Sequence, residues 1–289
     1  LKNVVIFEMG MPGGQITSSS EIENYPGVAD KMDGISFMSA WQEQCFRFGL
    51  KHEMIKVKRV AKKQNGEFEI FLENGKSELA KAVIVATGSA PRKAGIKGED
   101  EFFGKGVSTC ATCDGFFYRG KDVAVVGGGD TACEEATYLA GLCRKVYLIV
   151  RKNYLRASKA MQERVFRTEN IEVLFEHNTL ELFGSDMGVE AARLVYQKGT
   201  PEEATKEIKI DGFFLAIGHT PNAEVFKKYI EVDEQGYIVT EGKSCKTNVP
   251  GVFAAGDVMD PTYRQGIAAA GTGCRAAIDA ERYIGELHA

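Results

Sequence analysis

The sequence predicts an α/β chain in which one domain is inserted into another of the same kind, and three observations predict it. Its 289 residues are long enough for two modest cores. Two apolar segments end alike, Ala82-Val83-Ile84-Val85-Ala86-Thr87-Gly88 and Asp211 to Gly218 with its Ala216-Ile217-Gly218 terminus, each reading as a buried strand that runs into glycine. Between them, Asp122-Val123-Ala124-Val125-Val126 leads into Gly127-Gly128-Gly129-Asp130-Thr131-Ala132, a helical stretch from Thr131 to Gly141, and a second strand from Lys145 to Val150. That is a β-α-β unit with a Gly127-x-Gly129-x-x-Ala132 turn. The turn lets backbone amides approach a pyrophosphate at a helix N-terminus, and Ala132 lets helix pack closely on strand. The expected fold is therefore two nested Rossmann-like dinucleotide-binding domains, residues 1–90 with 219–289 forming the outer one and 91–218 the inserted one.

The remaining elements follow in order. Val4-Val5-Ile6-Phe7-Glu8 reads as an apolar strand ending in an acid. In a dinucleotide-binding fold such an acid stands at the end of the second strand, about twenty residues after a Gly-rich loop, and holds a ribose hydroxyl. Because Leu1 stands so close before it, the sequence is expected to lack a first strand, a phosphate-binding turn and most of one helix. Gly13-Gly14-Gln15 reads as a loop. Asp33 caps a helix in which Ile35, Met38, Trp41, Cys45 and Phe48 recur at helical spacing, a stripe expected in the core. From Glu67 to Leu79, alternation of Phe68, Ile70 and Leu72 into Asn74-Gly75 predicts a hairpin with a primed turn. Pro91 marks a first linker and His219-Thr220-Pro221-Asn222 the return. Gly251-Val252-Phe253-Ala254-Ala255 is a strand into Gly256-Asp257, and Arg264 to Ile284 is an alanine-rich final helix.

Charge excludes two partner classes. With 36 Lys and Arg against 40 Asp and Glu, the formal net charge is -4, and the cations are scattered, so neither nucleic acid nor an anionic membrane surface is indicated. No apolar run approaches the roughly 20 residues that span a bilayer, and no signal-like segment opens the chain, which points to a cytoplasmic protein.

Seven cysteines at positions 45, 110, 113, 133, 143, 245 and 274 do not form a secreted disulfide framework. The five isolated ones are expected as small buried packing residues. Cys110-Ala111-Thr112-Cys113 is different. Zinc is the rival explanation for this spacing, but a structural zinc site needs about four ligands, and the sequence has no second C-x-x-C and only four histidines. A closely spaced dithiol just ahead of a dinucleotide loop points instead to a two-electron redox path. Asp114 beside it suits a proton donor for a leaving thiolate, with a surface turn as the plainer alternative. Phe116 and Phe117 either pack as core or present an apolar patch to a partner. At the end of the second strand of the β-α-β unit stand Val150-Arg151-Lys152, with Arg156 downstream and no acid, which favours NADPH over NADH. No metal site is expected.

Several ordered blocks carry a specific resemblance: Gly13-Gly14-Gln15, Glu21-Ile22-Glu23-Asn24-Tyr25-Pro26-Gly27, Ala86-Thr87-Gly88, Cys110 to Tyr118, Gly127 to Glu135, Ala254-Ala255-Gly256-Asp257, Asp260-Pro261-Thr262-Tyr263-Arg264-Gln265 and Ala270-Gly271-Thr272-Gly273-Cys274. Over its whole length the chain resembles the low-molecular-weight bacterial thioredoxin reductases, which are FAD- and NADPH-dependent pyridine nucleotide-disulfide oxidoreductases. The resemblance implies a homodimeric flavoprotein with the NADPH domain inserted in the FAD domain. FAD would be held by Glu8, Gly14, Gln15, Asn24, Ala86, Thr87, Gly88, Asp257, Arg264 and Gln265, and NADPH by Gly127, Gly129, Asp130, Thr131, Arg151, Lys152 and Arg156. Hydride would pass from NADPH to FAD, then reduce the Cys110–Cys113 disulfide, whose dithiol would reduce thioredoxin through a mixed disulfide, with Asp114 as the acid. By the same resemblance Cys113 is the flavin-facing thiol and Cys110 the one that attacks thioredoxin, with Phe116 and Phe117 as contacts. It also implies rotation of the inserted domain about hinges near Ser89 to Pro91 and Gly218 to Pro221.

One departure touches the donor. The family's His-Arg-Arg reads Val150-Arg151-Lys152 here, which weakens the NADPH preference and supports a second reading, a flavin dithiol oxidase that uses oxygen and a small-molecule dithiol. The intact Gly127 turn with Arg151 and Arg156 argues against it. A peroxiredoxin-reducing flavoprotein would carry extra thioredoxin-like domains that this sequence does not encode, and a non-catalytic relative would not need Cys110, Cys113 and Asp114.

Overall fold

The computed structural model describes residues 3–19, 22 and 24–287, and Glu21 and Glu23 of the motif above lie outside the described residues. The chain forms two compact units, Leu1–Ala90 with Thr220–Ala289, and Pro91–His219. It passes between them in the short paired strands Ser89–Pro91 and His219–Pro221.

The inserted unit is built on a five-stranded parallel sheet in the order Ile171–Phe175, Lys145–Val150, Asp122–Val126, Gly212–Leu215, Val107–Ser108. Its central strands are apolar on both faces, as a covered parallel sheet requires. Val123, Val125, Leu148, Val150 and Phe214 point into a core closed by helix Asp130–Ala140 through Ala132, Cys133, Ala136 and Leu139. Their neighbours Ala124, Ile149, Phe213 and Leu215 point the other way, into a second core with Leu182, Val189, Ala192 and Leu194. Those last four come from an antiparallel sheet of His177–Ser185, Gly188–Tyr196 and Ala204–Lys209. The strand-helix-strand segment falls within a residue of its expected limits. The antiparallel sheet was not expected.

In the outer unit the parallel pairs are short: Val5–Glu8 with Lys51–Met54, and Val83–Val85 with Val252–Ala254. An antiparallel sheet of Val57–Lys62, Phe68–Leu72 and Ser77–Ala80 buries Phe68, Ile70 and Leu72 against Val85, Phe226, Ile230 and Val252. The closing helix, Gly266–Glu286, packs Ala276 and Ala280 on Phe253 and Ala255. Among the described residues no helix is long and apolar enough to cross a membrane.

Five expectations need correction. Helix Gly34–Arg47 forms, and Asp33 caps it by accepting the Ser36 amide at 2.9 Å, but its fully buried side chain is Phe37, 1% exposed, and of the expected stripe only Met38 and Trp41 are half-buried. Ile35 and Cys45 are exposed and Phe48 is 75% exposed, because the rings of Tyr25 and Trp41 gather on Phe37 at centroid distances of 5.2 Å or less. The Asn74-Gly75 turn is not primed. Gly75 alone takes a positive φ of 83°, and its amide bonds to Leu72 O at 3.2 Å, giving a three-residue loop with a glycine bulge. Of the five isolated cysteines, Cys133, Cys143 and Cys245 are buried while Cys45 and Cys274 are exposed. Gly14–Ser18 is a turn of 3₁₀ helix rather than an open loop. In Val83–Val85 only Val85 is buried, since the strand pairs on one side alone.

Candidate active site

Cys110 and Cys113 are joined in a disulfide across the short helix Ala111–Asp114, with Cα atoms 5.3 Å apart. One helical turn sets this spacing, since residues three apart lie on one face. Bonded in this way, the two sulfurs are not the thiolates that a zinc site requires. Cys110 is half-buried and Cys113 exposed, and the Thr112 hydroxyl lies 3.4 Å from Cys110 Sγ. Asp114, half-buried, accepts the Ser108 hydroxyl at 2.6 Å on Oδ2. Burial holds its carboxyl above the usual range, and the Ser108 bond opposes that. Such a carboxyl retains its proton to higher pH than a solvated aspartate and can deliver it to sulfur. Tyr118 stands in the next turn against Phe214, its phenol pushed up to about 12, first by burial and then by Asp114. Phe116 is 58% exposed with the Arg119 guanidinium 5.3 Å from its ring, and Phe117 is half-buried. Phe116 thus supplies exposed apolar surface within a few residues of the disulfide.

The other buried thiols differ in kind. Burial pushes Cys133 and Cys143 up to about 11, which keeps them protonated and unreactive at neutral pH.

The glycine turn is fixed by packing. Gly127 has φ 149°, and a Cβ there would lie 2.5 Å from Ala216 O and 2.7 Å from Ala132 Cβ, so only glycine fits. At Gly129, which precedes helix Asp130–Ala140, a Cβ would meet nothing within 4 Å. That backbone faces open space, and the helix N-terminus there is free to accept an anion. Thr131 is exposed beside it. The cationic loop is stitched to the turn: the Arg156 amide donates to Gly128 O at 2.7 Å and the Ser158 amide to Asp130 Oδ1 at 2.9 Å. Asp130 therefore organises the loop, and those bonds hold its carboxyl below the usual range. Arg151, Lys152 and Arg156 are exposed, and Arg151 lines an open cleft of about 850 Å³ with Glu176, Tyr196 and Lys198. Val150 is 3% exposed, and a Cβ on Gly128 would touch its Cγ1 at 3.1 Å. It is a core side chain under the turn, and the exposed cations beside it are Arg151 and Lys152. A phosphate-bearing dinucleotide fits this donor set.

In the outer unit Glu8, Ala86, Thr87, Gly88 and Asp257 stand at the carboxyl ends of parallel strands, where ligands bind in open α/β sheets. Glu8 ends the first strand and accepts the Gly10 amide at 3.1 Å. Ala86, Thr87 and Gly88 follow Val83–Val85, and Gly256 and Asp257 follow Val252–Ala254, the two ends tied by the Ala255 amide to Val85 O at 2.9 Å. Asp257 is half-buried and its carboxyl raised by burial first and Asp260 second, with Arg264 opposing. Arg264 adopts φ 47° and donates to Pro261 O at 2.8 Å. Gln265 caps the last helix, and its Oε1 lies 3.5 Å from Asn24 Nδ2. Gly14 and Gln15 open the 3₁₀ turn, whose Ile16 packs at Gly266, where a Cβ would lie 3.0 Å from Ile16 Cδ1. Asn24, Gln15 and Gln265 are thereby brought to one helix end. Carboxylates and amides around that end and the two glycines, Gly88 and Gly256, suit a ligand rich in hydroxyls and phosphates.

Two further residues, which carry no sequence motif, shape these sites. Asn222 clamps Thr87 from both sides, its Nδ2 donating to Thr87 O at 2.9 Å and its carbonyl accepting the Thr87 hydroxyl at 2.6 Å. Ser108 is the other. Neither gives a sequence signal, since a linker asparagine and a serine before a turn are commonplace.

The comparisons agree with this geometry. The pyridine nucleotide-disulphide oxidoreductase family matches residues 1–273. The chain is 50% identical to the thioredoxin reductase of Helicobacter pylori, covering 98% of this chain and 91% of that one, and 44% identical to that of Dictyostelium discoideum, covering 95% and 86%. Among solved structures, thioredoxin reductase from Streptococcus pyogenes superposes with a TM-score of 0.91 at 33% identity over 98% of this chain and 90% of that one. The enzyme from Giardia duodenalis gives 0.88 at 35%, covering 98% and 91%. The disulfide, the half-buried acid next to it and the glycine turn thus stand in a chain that belongs to the pyridine nucleotide-disulphide oxidoreductase family, among its low-molecular-weight thioredoxin reductases.

Proposed function

We propose that the chain is a thioredoxin-disulfide reductase that takes its electrons from NADPH. The observation that carries this reading is the Cys110–Cys113 disulfide followed directly by Asp114, whose carboxyl is bound by the same Ser108 hydroxyl that accepts the Cys110 amide. The inserted unit would hold NADPH through the amides at Gly127 and Gly129, Thr131, and the cations Arg151, Lys152 and Arg156. Glu8, Gly14, Gln15, Asn24, Ala86, Thr87, Gly88, Asp257, Arg264 and Gln265 of the outer unit would hold FAD. Bound there, the two cofactors supply hydride transfer, and with it the electron pair that a disulfide needs.

The chain's own chemistry is thiol–disulfide exchange. In the reduced state one cysteine of the pair, Cys110 by family resemblance, attacks a sulfur of the thioredoxin disulfide as thiolate. A Cys110–thioredoxin bond forms, the thioredoxin S–S bond breaks, and the leaving thiolate takes the Asp114 proton. The Cys113 thiolate then attacks Cys110 Sγ, which restores the intramolecular disulfide and releases the second thioredoxin thiol with a proton from solvent. Exposed Phe116 and neighbouring Phe117 offer an apolar contact for the incoming protein. A cytoplasmic homodimer completes the proposal, and light scattering of the holoprotein tests the dimer.

The deciding experiment is anaerobic stopped-flow of the flavin-loaded protein with NADPH, and separately NADH, followed by thiol release to added thioredoxin. Flavin bleaching should be faster with NADPH, and Cys113→Ser should bleach yet release no thioredoxin thiols. Absence of bleaching with either nucleotide would defeat the reading.

A further inference from the structure

Ser108 ends the edge strand Val107–Ser108 and is 6% exposed. Its Oγ donates to Asp114 Oδ2 at 2.6 Å and accepts the Cys110 amide N–H at 3.1 Å. The Cys110 carbonyl lies 3.5 Å from the same atom. One hydroxyl therefore has two acceptors in reach and a single proton to donate. When Asp114 is ionised, the Ser108 O–H points to the carboxylate. When Asp114 is protonated, the carboxyl O–H becomes the donor to Ser108 Oγ, and the serine proton turns toward the Cys110 carbonyl. Both forms of the acid keep a hydrogen bond, and the amide anchor at Cys110 holds throughout.

We propose that Ser108 is a positioning residue for thiol–disulfide exchange, a rotatable hydroxyl that fixes Asp114 at the Cys110 end of the redox helix and sets the pH at which Asp114 yields its proton. This rests on the reading of Asp114 as the proton donor. Among the described residues the phenol of Tyr118 in the next turn is coupled to Asp114, and Asp211 and Cys143 act on the same phenol. At neutral pH the phenol is protonated, since burial and Asp114 push it up to about 12. Ser108 is then the group whose hydrogen bond favours the ionised carboxyl, in opposition to burial.

The exchange described above uses the protonated acid, so its rate falls as pH rises through the Asp114 pKa. Removing the hydroxyl deletes a stronger bond from the ionised carboxyl than from the protonated one and moves that descending limb upward, by about one pH unit for the difference between a charged and a neutral hydrogen bond. The test uses the full-length holoprotein, reduced with dithiothreitol and freed of it, in single-turnover exchange with oxidised thioredoxin across the pH range. Ser108→Ala should shift the limb up, Ser108→Thr should restore it, and Asp114→Asn should abolish it. Adding Ser108→Ala to Asp114→Asn should then change nothing further. If the alanine variant does not fold, Ser108→Thr and Ser108→Val, which share a shape and differ in the hydroxyl, carry the same comparison. A limb unmoved in both Ser108→Ala and Ser108→Val, or the same slowing by Ser108→Ala with and without Asp114, would overturn the role of Ser108. Wild-type dithiol that fails to exchange with thioredoxin would instead overturn the proposed function, and a limb that survives Asp114→Asn would overturn the acid.

Discussion

The inserted unit and the outer unit solve the same problem by different means. In the inserted unit the glycine turn, its helix and the cationic loop come from one stretch, Asp122 to Ser158, and the backbone is held by packing, with Gly127 wedged against Ala216 and Ala132. The outer unit assembles its expected site from separate segments, placed by strands only three or four residues long, by turns, and by the N-terminus of the last helix. There the alignment depends on long-range tethers, Asn24 to Gln265 and Thr87 to Asn222. A site built from one contiguous unit is stiff and fails through its backbone, whereas an assembled site fails one tether at a time.

The largest effect expected from that contrast is at Gly127. Alanine there would set Cβ 2.5 Å from the Ala216 carbonyl at a φ of 149°, and overpacking with backbone strain costs about 3 kcal/mol or more. Gly127→Ala should lower the midpoint of chemical unfolding, whereas Gly129→Ala, with open space ahead of it and φ -95°, should leave that midpoint in place. Gly129→Ala should instead weaken NADPH binding about tenfold by obstructing approach to the amides. Equal stability losses in the two variants would break the distinction between the packed glycine and the open one.

Next in size is nucleotide choice. Arg151 and Arg156 are exposed on the loop stitched to the turn, and a charge-assisted phosphate contact contributes about 1.5–3 kcal/mol. Arg156→Ala should therefore raise the Kd for NADPH about tenfold or more and leave the Kd for NADH nearly unchanged, as measured by fluorescence titration. Equal loss for both nucleotides would assign Arg156 to the shared pyrophosphate rather than the 2′-phosphate.

The same contrast governs what could be read from sequence. Asp122–Val126, Asp130–Ala140 and Lys145–Val150 were legible because apolar runs, a glycine turn and a helix follow one another without interruption. The antiparallel sheet from His177 to Lys209 was not, since register shifts between Thr179 and Glu181 and between Phe183 and Gly184 break the alternation of its first strand. The Gly34–Arg47 helix is legible with its cap and with part of its inner face, Met38 and Trp41, but not with Phe37, because one-dimensional periodicity cannot tell that Tyr25 and Trp41 converge on that ring. The redox pair and its acid were visible as Cys110-Ala111-Thr112-Cys113-Asp114. Ser108, which positions that acid, was not, since its importance lies in a distance of 2.6 Å across a turn.

The smallest expected effect tests the assembled site most directly. Asn222 is exposed, yet its side chain reaches Thr87 O at 2.9 Å while its backbone amide donates to Gly88 O at 2.9 Å and its carbonyl accepts the Thr87 hydroxyl. Asn222→Ala removes one bond of three, worth about 1 kcal/mol at an exposed position. The backbone bonds remain, so the fold and the unfolding midpoint should barely move. If Thr87 and Gly88 lie against FAD, however, the freed peptide should show as faster flavin dissociation, a few-fold at most, with no change in NADPH affinity. A change in NADPH affinity without one in flavin release would place Thr87 and Gly88 outside the flavin site, and with them the argument that the outer unit is assembled through tethers of this kind.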